Sequence, residues 1–243
     1  VERYASDGVL IAGGARAILL QVADPTVAEG VSRHSDFAHR PVERLRTTLT
    51  FAYAVVLGTP DDAARVAAFV NRAHHPVNRA EEAQLQLWVA ATLYETATRV
   101  HDRVFGRVDD ALADELYAAY AALGTSLQMP AALWPADRAA FARYWDERVA
   151  LLEVTDDARQ IAHDLFAPVR APAWLRAGLP LGRLLSLDLL PASIRSDYGF
   201  VWTSREARRA HRAWALLRFL VTVTPHRFRS WPSRHYLGRL RAG

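Results

Sequence analysis

The chain has 243 residues and a mass of 27.1 kDa; at 51% hydrophobic, 23% charged and a mean hydropathy of -0.04 it reads as an ordinary globular protein of one large or two small domains. Cysteine is absent and all 30 basic residues are arginine, which excludes disulfides, iron–sulfur clusters, thiolate-ligated zinc or haem, Schiff-base chemistry and a P-loop lysine. The net charge of +4 is uneven: residues 195–243 hold eleven arginines against Asp197 and Glu206, a net of +9 that leaves −5 for the rest.

Apolar residues recur at helical spacing from end to end, and no alternating run sits between turn signals, so the expected class is all-α. Helices are expected over Gly8–Ala23, Pro25–Arg33, Pro41–Leu57, Pro60–His75, Arg79–Phe105, Asp110–Leu123, Ala136–Leu152 and Asp156–Phe166. Thr59 ahead of Pro60, Asp61 and Asp62 reads as an N-cap followed by a first-turn proline and acids that suit the helix dipole. Asn78 with Glu81 reads as a capping box, and Gly124 as a left-handed stop. Residues 167–191, with Pro168, Pro172, Pro180 and Pro191, are the clearest break. Trp174, Leu175, Leu179, Leu181, Leu184 and Leu185 make that segment too apolar for a free linker, so it is expected to lie as an irregular strap over a single domain spanning 1–243. Arg183–Leu189, Ala192–Tyr198 and Arg205–Val223 are the remaining helices, and 195–243 is expected to pack as a basic segment through Trp202, Trp214, Leu217 and Leu220.

The most apolar stretches, 17–23 and 214–223, fall well short of the roughly 20 residues that a membrane-spanning helix needs. The expectation is a cytoplasmic protein, although a start at Val1 is compatible with a removed leader. The basic tail suits nucleic acid, an anionic membrane or an acidic partner. Its cluster Arg205, Arg208, Arg209 and Arg212 comes with no helix-turn-helix or RNA-binding signature, so nucleic acid is not the expected partner and a solvated face is the plain reading.

Three polar groups stand on apolar helix faces. Val66, Val70, Ala73 and Val77 form one stripe, and His74 falls four residues after Val70 on the same side, as a core histidine or as a metal or haem ligand. Arg44 and Thr48 form an i,i+4 pair on a face that continues through Phe51, Ala52 and Val55. They either point into a pocket, where they orient an oxygen or a propionate, or else Arg44 reaches water and Thr48 bonds back to a carbonyl one turn earlier. Arg16 interrupts a helix otherwise apolar from Val9 to Val22, as a propionate partner or as one half of a structural ion pair.

The order of several segments resembles the rubber oxygenase (latex-clearing protein) and mycophenolate-pathway oxygenase catalytic-domain family. They are residues 13–25 (GGARAILLQVADP), 27–31 (VAEGV), 34–37 (HSDF), 44–48 (RLRTT), 72–77 (RAHHPV), 85–93 around Trp88-Val89, and 189–195 (LLPASIR). The resemblance implies a globin-like multi-helix bundle enclosing a b-type haem, with His74 as the iron ligand and Arg44 and Thr48 on the reactive side. Some members carry a lysine just before that threonine; here the position is Thr47. Asp24 and Ala90 stand where histidine is frequent in the family, and Glu29 lies near the position of its catalytic carboxylate. The implied activity is that of a haem-dependent oxygenase or oxidase acting on a small or apolar organic substrate with dioxygen or peroxide. The contrasting reading is a non-enzymatic helical protein that binds an apolar ligand or partner, with the same polar groups in structural roles.

Overall fold

The longest periodic stretch of the sequence forms the helix around which the others gather. The computed structural model describes residues 1–34, 41–74, 82–168 and 171–242, and no strand occurs among them. The chain runs through α1 (Glu2–Ala5), a 3-10 turn (Gly8–Gly13), α2 (Gly14–Val22), α3 (Pro25–His34), α4 (Pro41–Leu57), α5 (Pro60–His74), α6 (Ala83–Phe105) and α7 (Asp110–Thr125). It continues through a short 3-10 turn (Ala131–Leu133), α8 (Arg138–Ala150), α9 (Asp156–Phe166), α10 (Ala173–Leu189), α11 (Ala192–Asp197), α12 (Ser204–Val223), α13 (His226–Arg229) and α14 (Trp231–Ala242). The all-α expectation holds. Asn78 and Glu81 lie outside the described residues.

Short polar side chains start several of these helices by accepting hydrogen bonds from otherwise unpaired amides. The Thr59 hydroxyl accepts from the Asp62 amide at 3.2 Å while the Asp62 carboxylate accepts from the Thr59 amide at 2.9 Å, a reciprocal cap that opens α5 as the sequence pattern predicts. Asp109, Asp137 and Thr155 cap α7, α8 and α9 in the same way. Asp7 accepts from the Val9 amide, so the expected single helix from Gly8 begins instead as a 3-10 turn and becomes α-helical at Gly14.

Twelve of the 23 residues of α6 are buried, and they lie on several sides of the helix because α2, α7, α10 and α12 all pack against it. Trp88 is fully buried and donates its indole N–H to the Leu20 carbonyl at 3.1 Å, which ties α6 to α2. Tyr94, one face round, sits among the rings of Tyr117, Tyr120, Trp134 and Phe141 with centroids 4.9–6.1 Å away. A second apolar cluster of Val9, Val100, Val104, Leu185, Leu189, Trp214 and Val221 fills the space beneath α12.

Four sequence expectations are corrected. Residues 173–189 form a helix rather than an irregular strap: Pro172 is its N-cap and Pro191 follows its end, so only Pro180 falls inside, at a cost of one backbone hydrogen bond. Gly124 does not stop α7, which runs on to Thr125; a Cβ there would sit 2.7 Å from the end of the Met129 side chain, which packs against the glycine. Leu220 does not anchor the basic segment, because the buried side of α12 runs through Ala210, Trp214 and Val221 and leaves Leu220 46% exposed. The helices do not end at Val223 either: α13 and α14 follow within the basic segment expected to be helical and packed, and α14 packs on α4 and α5, with Arg241 paired to Asp62 at 2.8 Å and Arg65 donating to the Leu240 carbonyl.

Two expected outcomes follow from this packing. A Cβ on Gly13 would approach the side chains of Thr96 and Val100 to 2.5 and 2.7 Å, whereas one on Gly14 meets nothing. Gly13→Ala should therefore lose about 1–3 kcal/mol in urea unfolding, and Gly14→Ala should be neutral or mildly stabilising. The Arg241 guanidinium, together with the Thr59 amide, holds the Asp62 carboxyl well below the ordinary range. A depressed carboxylate stabilises the fold above its unfolded-state value of about 3.9 and less as pH falls toward the folded one. Amide protection factors in α14, corrected for the intrinsic exchange rate at each pH, should accordingly stay high at neutral pH and fall below about pH 4, and Asp62→Asn should remove that pH dependence.

Candidate functional site

The α4–α5 hairpin positions the residues singled out in the sequence. The two helices are joined through Gly58 and Thr59 and pack on each other. At 1.5 Å per residue, positions 44 and 74 each stand about 20 Å from that turn. The hairpin therefore brings the first turns of α4 and the last turn of α5 to one end. On α5 the buried row is Asp62, Val66 and Val70, and position 74 is the next in that i,i+4 row. On α4 the buried residues are Phe51, Tyr53 and Ala54.

Thr48 is exposed on α4, so no described residue closes a pocket over it. Its neighbour Thr47 donates back to the Glu43 carbonyl at 3.0 Å. The side chains of Arg44 and His74 lie outside the described residues, as do His75 and Pro76.

Arg16 is brought into a site of its own, away from the hairpin. It is 1% exposed, and each of its three guanidinium nitrogens has a partner. Nε donates to the Leu189 carbonyl at 2.8 Å, one terminal nitrogen to the Thr96 hydroxyl at 2.6 Å, and the other pairs with Glu95 at 2.5 Å. Burial pulls the guanidinium below its ordinary value and Glu95 opposes that shift. Glu95 in turn pairs with the half-exposed Arg99 at 2.7 Å. The contact with Glu95 is an ion pair of the kind that one of the two sequence readings of Arg16 expects.

Residues 2–219 match the family model described as ER-bound oxygenase mpaB/B'/rubber oxygenase, catalytic domain. The chain belongs to this family. It is 30% identical over 224 residues to the uncharacterized protein Mb2261 of Mycobacterium bovis and to the uncharacterized protein Rv2237 of Mycobacterium tuberculosis, covering 86% of this chain and 88% of each relative. No solved structure matches the chain. Family membership makes an oxygenase the coarse functional assignment, and no single described helix is long and apolar enough to cross a membrane.

Within this oxygenase family the chain's departures have local structural reasons. Asp24, where histidine is frequent, accepts from the Thr26 and Val27 amides at 2.8 and 3.1 Å and pairs with Arg148, so it caps α3 and ties it to α8. Ala90 is 1% exposed and faces Gly124 of α7, a contact with no room for an imidazole. Glu29 is exposed and paired with Arg33 one turn on, as an ordinary surface pair. The residue that the sequence reading missed is Glu95. Its signal was present, since Trp88, Ala91 and Glu95 follow one helix face, but an acid on an apolar face becomes meaningful only once its cation is known.

Removing one member of the Arg16–Glu95 pair strands the other in the core. Glu95→Ala should cost about 3–5 kcal/mol in urea unfolding. The double variant Arg16→Met with Glu95→Leu should recover most of that loss, because it leaves no unpaired buried charge.

Proposed function

We propose that the chain is a haem-dependent oxygenase in which His74 of α5 holds the iron of a b-type haem, with Arg44 and Thr48 of α4 on the side where oxygen and an apolar organic substrate meet. The observation that carries this reading is the hairpin register. It sets 44, 48 and 74 at one end of a helix pair, with position 74 continuing a buried row and Thr48 on a face left open. The donor chemistry fits, because a chain without cysteine or lysine has histidine as its natural haem ligand. Haem, when bound, supplies the redox chemistry for activating oxygen.

The chain's own residues then have distinct tasks. Arg44 stays charged at any working pH and offers several donors in a fixed fork, which suits an oxygen that gains negative charge. Thr48, one helical turn further, adds a hydroxyl that either donates or accepts and so orients the substrate oxygen against Arg44. Val66 and Val70 of α5 and Phe51 of α4 are buried in the core and anchor the hairpin that carries these positions.

Absorption spectra of the oxidised, reduced and CO-bound protein after haem titration test the reading. The wild type should show a Soret band; His74→Ala should abolish it or leave a weak one that imidazole restores, and His75→Ala should leave it unchanged. Arg44→Ala should keep the haem content and lower turnover on the order of 10²-fold. A wild type that takes up no haem, or a His74→Ala variant with an unchanged spectrum, overturns the assignment.

A further inference from the structure

The outer face of α12 carries a surface that neither the core nor the α4–α5 hairpin uses. Leu216, Phe219, Leu220 and Val223 follow the helical period on the side opposite Trp214 and are 46–62% exposed. Earlier on that side stand Arg205, Arg208, Arg209 and Arg212, all exposed. Phe228 and Trp231 follow, so six of the thirteen large apolar side chains exposed among the described residues fall within 216–231. Single exposed apolar residues are ordinary on a protein surface, whereas a continuous row marks a contact.

Along the sequence that carries this row the charge has one sign. After Glu206 the sequence contains no acid. Asp7 and Asp62 take up Arg229 and Arg241. Arg205, Arg208 and Arg212 have no acidic partner among the described residues.

We propose that this face of α12 docks the protein on an anionic lipid surface. Arg205, Arg208 and Arg212 then lie at the level of the lipid phosphates, and Leu216, Phe219, Leu220 and Val223 enter the acyl boundary. With the arginines one to three turns before the apolar row on the same side, α12 would meet the surface tilted, its C-terminal turns deeper than its arginines, and this needs no membrane-spanning length. Charge complementarity selects this occupant over the others. A second copy would bring two segments of net +9 face to face. Nucleic acid would satisfy the arginines but leave the four-residue apolar row against a sugar–phosphate backbone. The inference is independent of the cofactor.

Flotation of the full chain with phosphatidylcholine–phosphatidylglycerol vesicles, against pure phosphatidylcholine, tests it. The protein should float with the mixed vesicles, less so as salt is raised, and not with the neutral ones. Arg205→Gln combined with Arg208→Gln should lower partitioning about fivefold per charge. Leu216→Ser combined with Phe219→Ser should lower it by about tenfold or more. Both double variants alter exposed side chains and should keep the wild-type helix content and thermal midpoint. Absence of wild-type binding to the mixed vesicles, or undiminished binding by the arginine variant, overturns the proposal. So does a wild-type dimer that the Leu216→Ser, Phe219→Ser variant converts to monomer, because the row would then belong to a second copy.

Discussion

A fully buried arginine sets the condition that the interior has to meet. A cation taken out of water is tolerable only where every donor finds an acceptor and one acceptor carries the opposite charge. Arg16 has a partner at each guanidinium nitrogen by drawing on two other elements at once: Glu95 and Thr96 of α6, and the last carbonyl of α10. The α2, α6 and α10 helices are thereby held in one relative position, since sliding any of them by a turn would strand the charge. Gly13 reflects the same constraint from the other side. The backbone just before α2 comes so close to Thr96 and Val100 that no side chain fits.

The hairpin of α4 and α5 is held differently. Its contacts with the core are apolar, through Phe51, Ala54, Val66 and Val70. Its outer side is held by α14, through Arg241 on Asp62 and Tyr236 stacked near Tyr53. Asp62 serves both the start of α5 and the seat of α14, so the helix that bears position 74 and the end of the chain share one carboxylate. The family match stops at residue 219, before α14 begins.

Helix existence was legible because the apolar period of each segment survives in the fold, and the Thr59–Asp62 cap shows that start signals were legible residue by residue. The errors share a cause. Proline in 167–191 and glycine at 124 have more than one physical use, and sequence alone does not say whether proline borders a helix or interrupts it, nor whether glycine turns the chain or makes room for Met129. The candidate site was legible only as one-sided patterns. Periodicity placed Arg16 on a buried face but could not name Glu95, eighty positions away in sequence, as its counter-charge. Leu220 failed for a related reason: the last turns of α12 are apolar on two sides, so spacing alone cannot tell which side meets the core.

The exclusive use of arginine makes that outer side of α12 intelligible. A lysine could neutralise Asp24 or Asp62, but it could not lie flat on an aromatic ring while its donors serve carbonyls. Arg148 lies over Trp88, Arg195 over Trp202, and Arg183 over both Phe166 and Phe200. Arg195 also donates to the Leu187 carbonyl at 2.7 Å, and through these contacts arginine joins helices as well as balancing charge. Arg205, Arg208 and Arg212 do none of this among the described residues: they hold no acid there, and they stand beside a row of leucine, phenylalanine and valine that the core does not cover. The same residue type therefore divides into cations consumed by the fold and cations left over. Arg205, Arg208 and Arg212 are among those left over, and they stand beside an exposed apolar row, where charge alone would keep a surface soluble and apolar area alone would drive association. Their coincidence on one helix face fits a boundary that is charged on one side and apolar on the other.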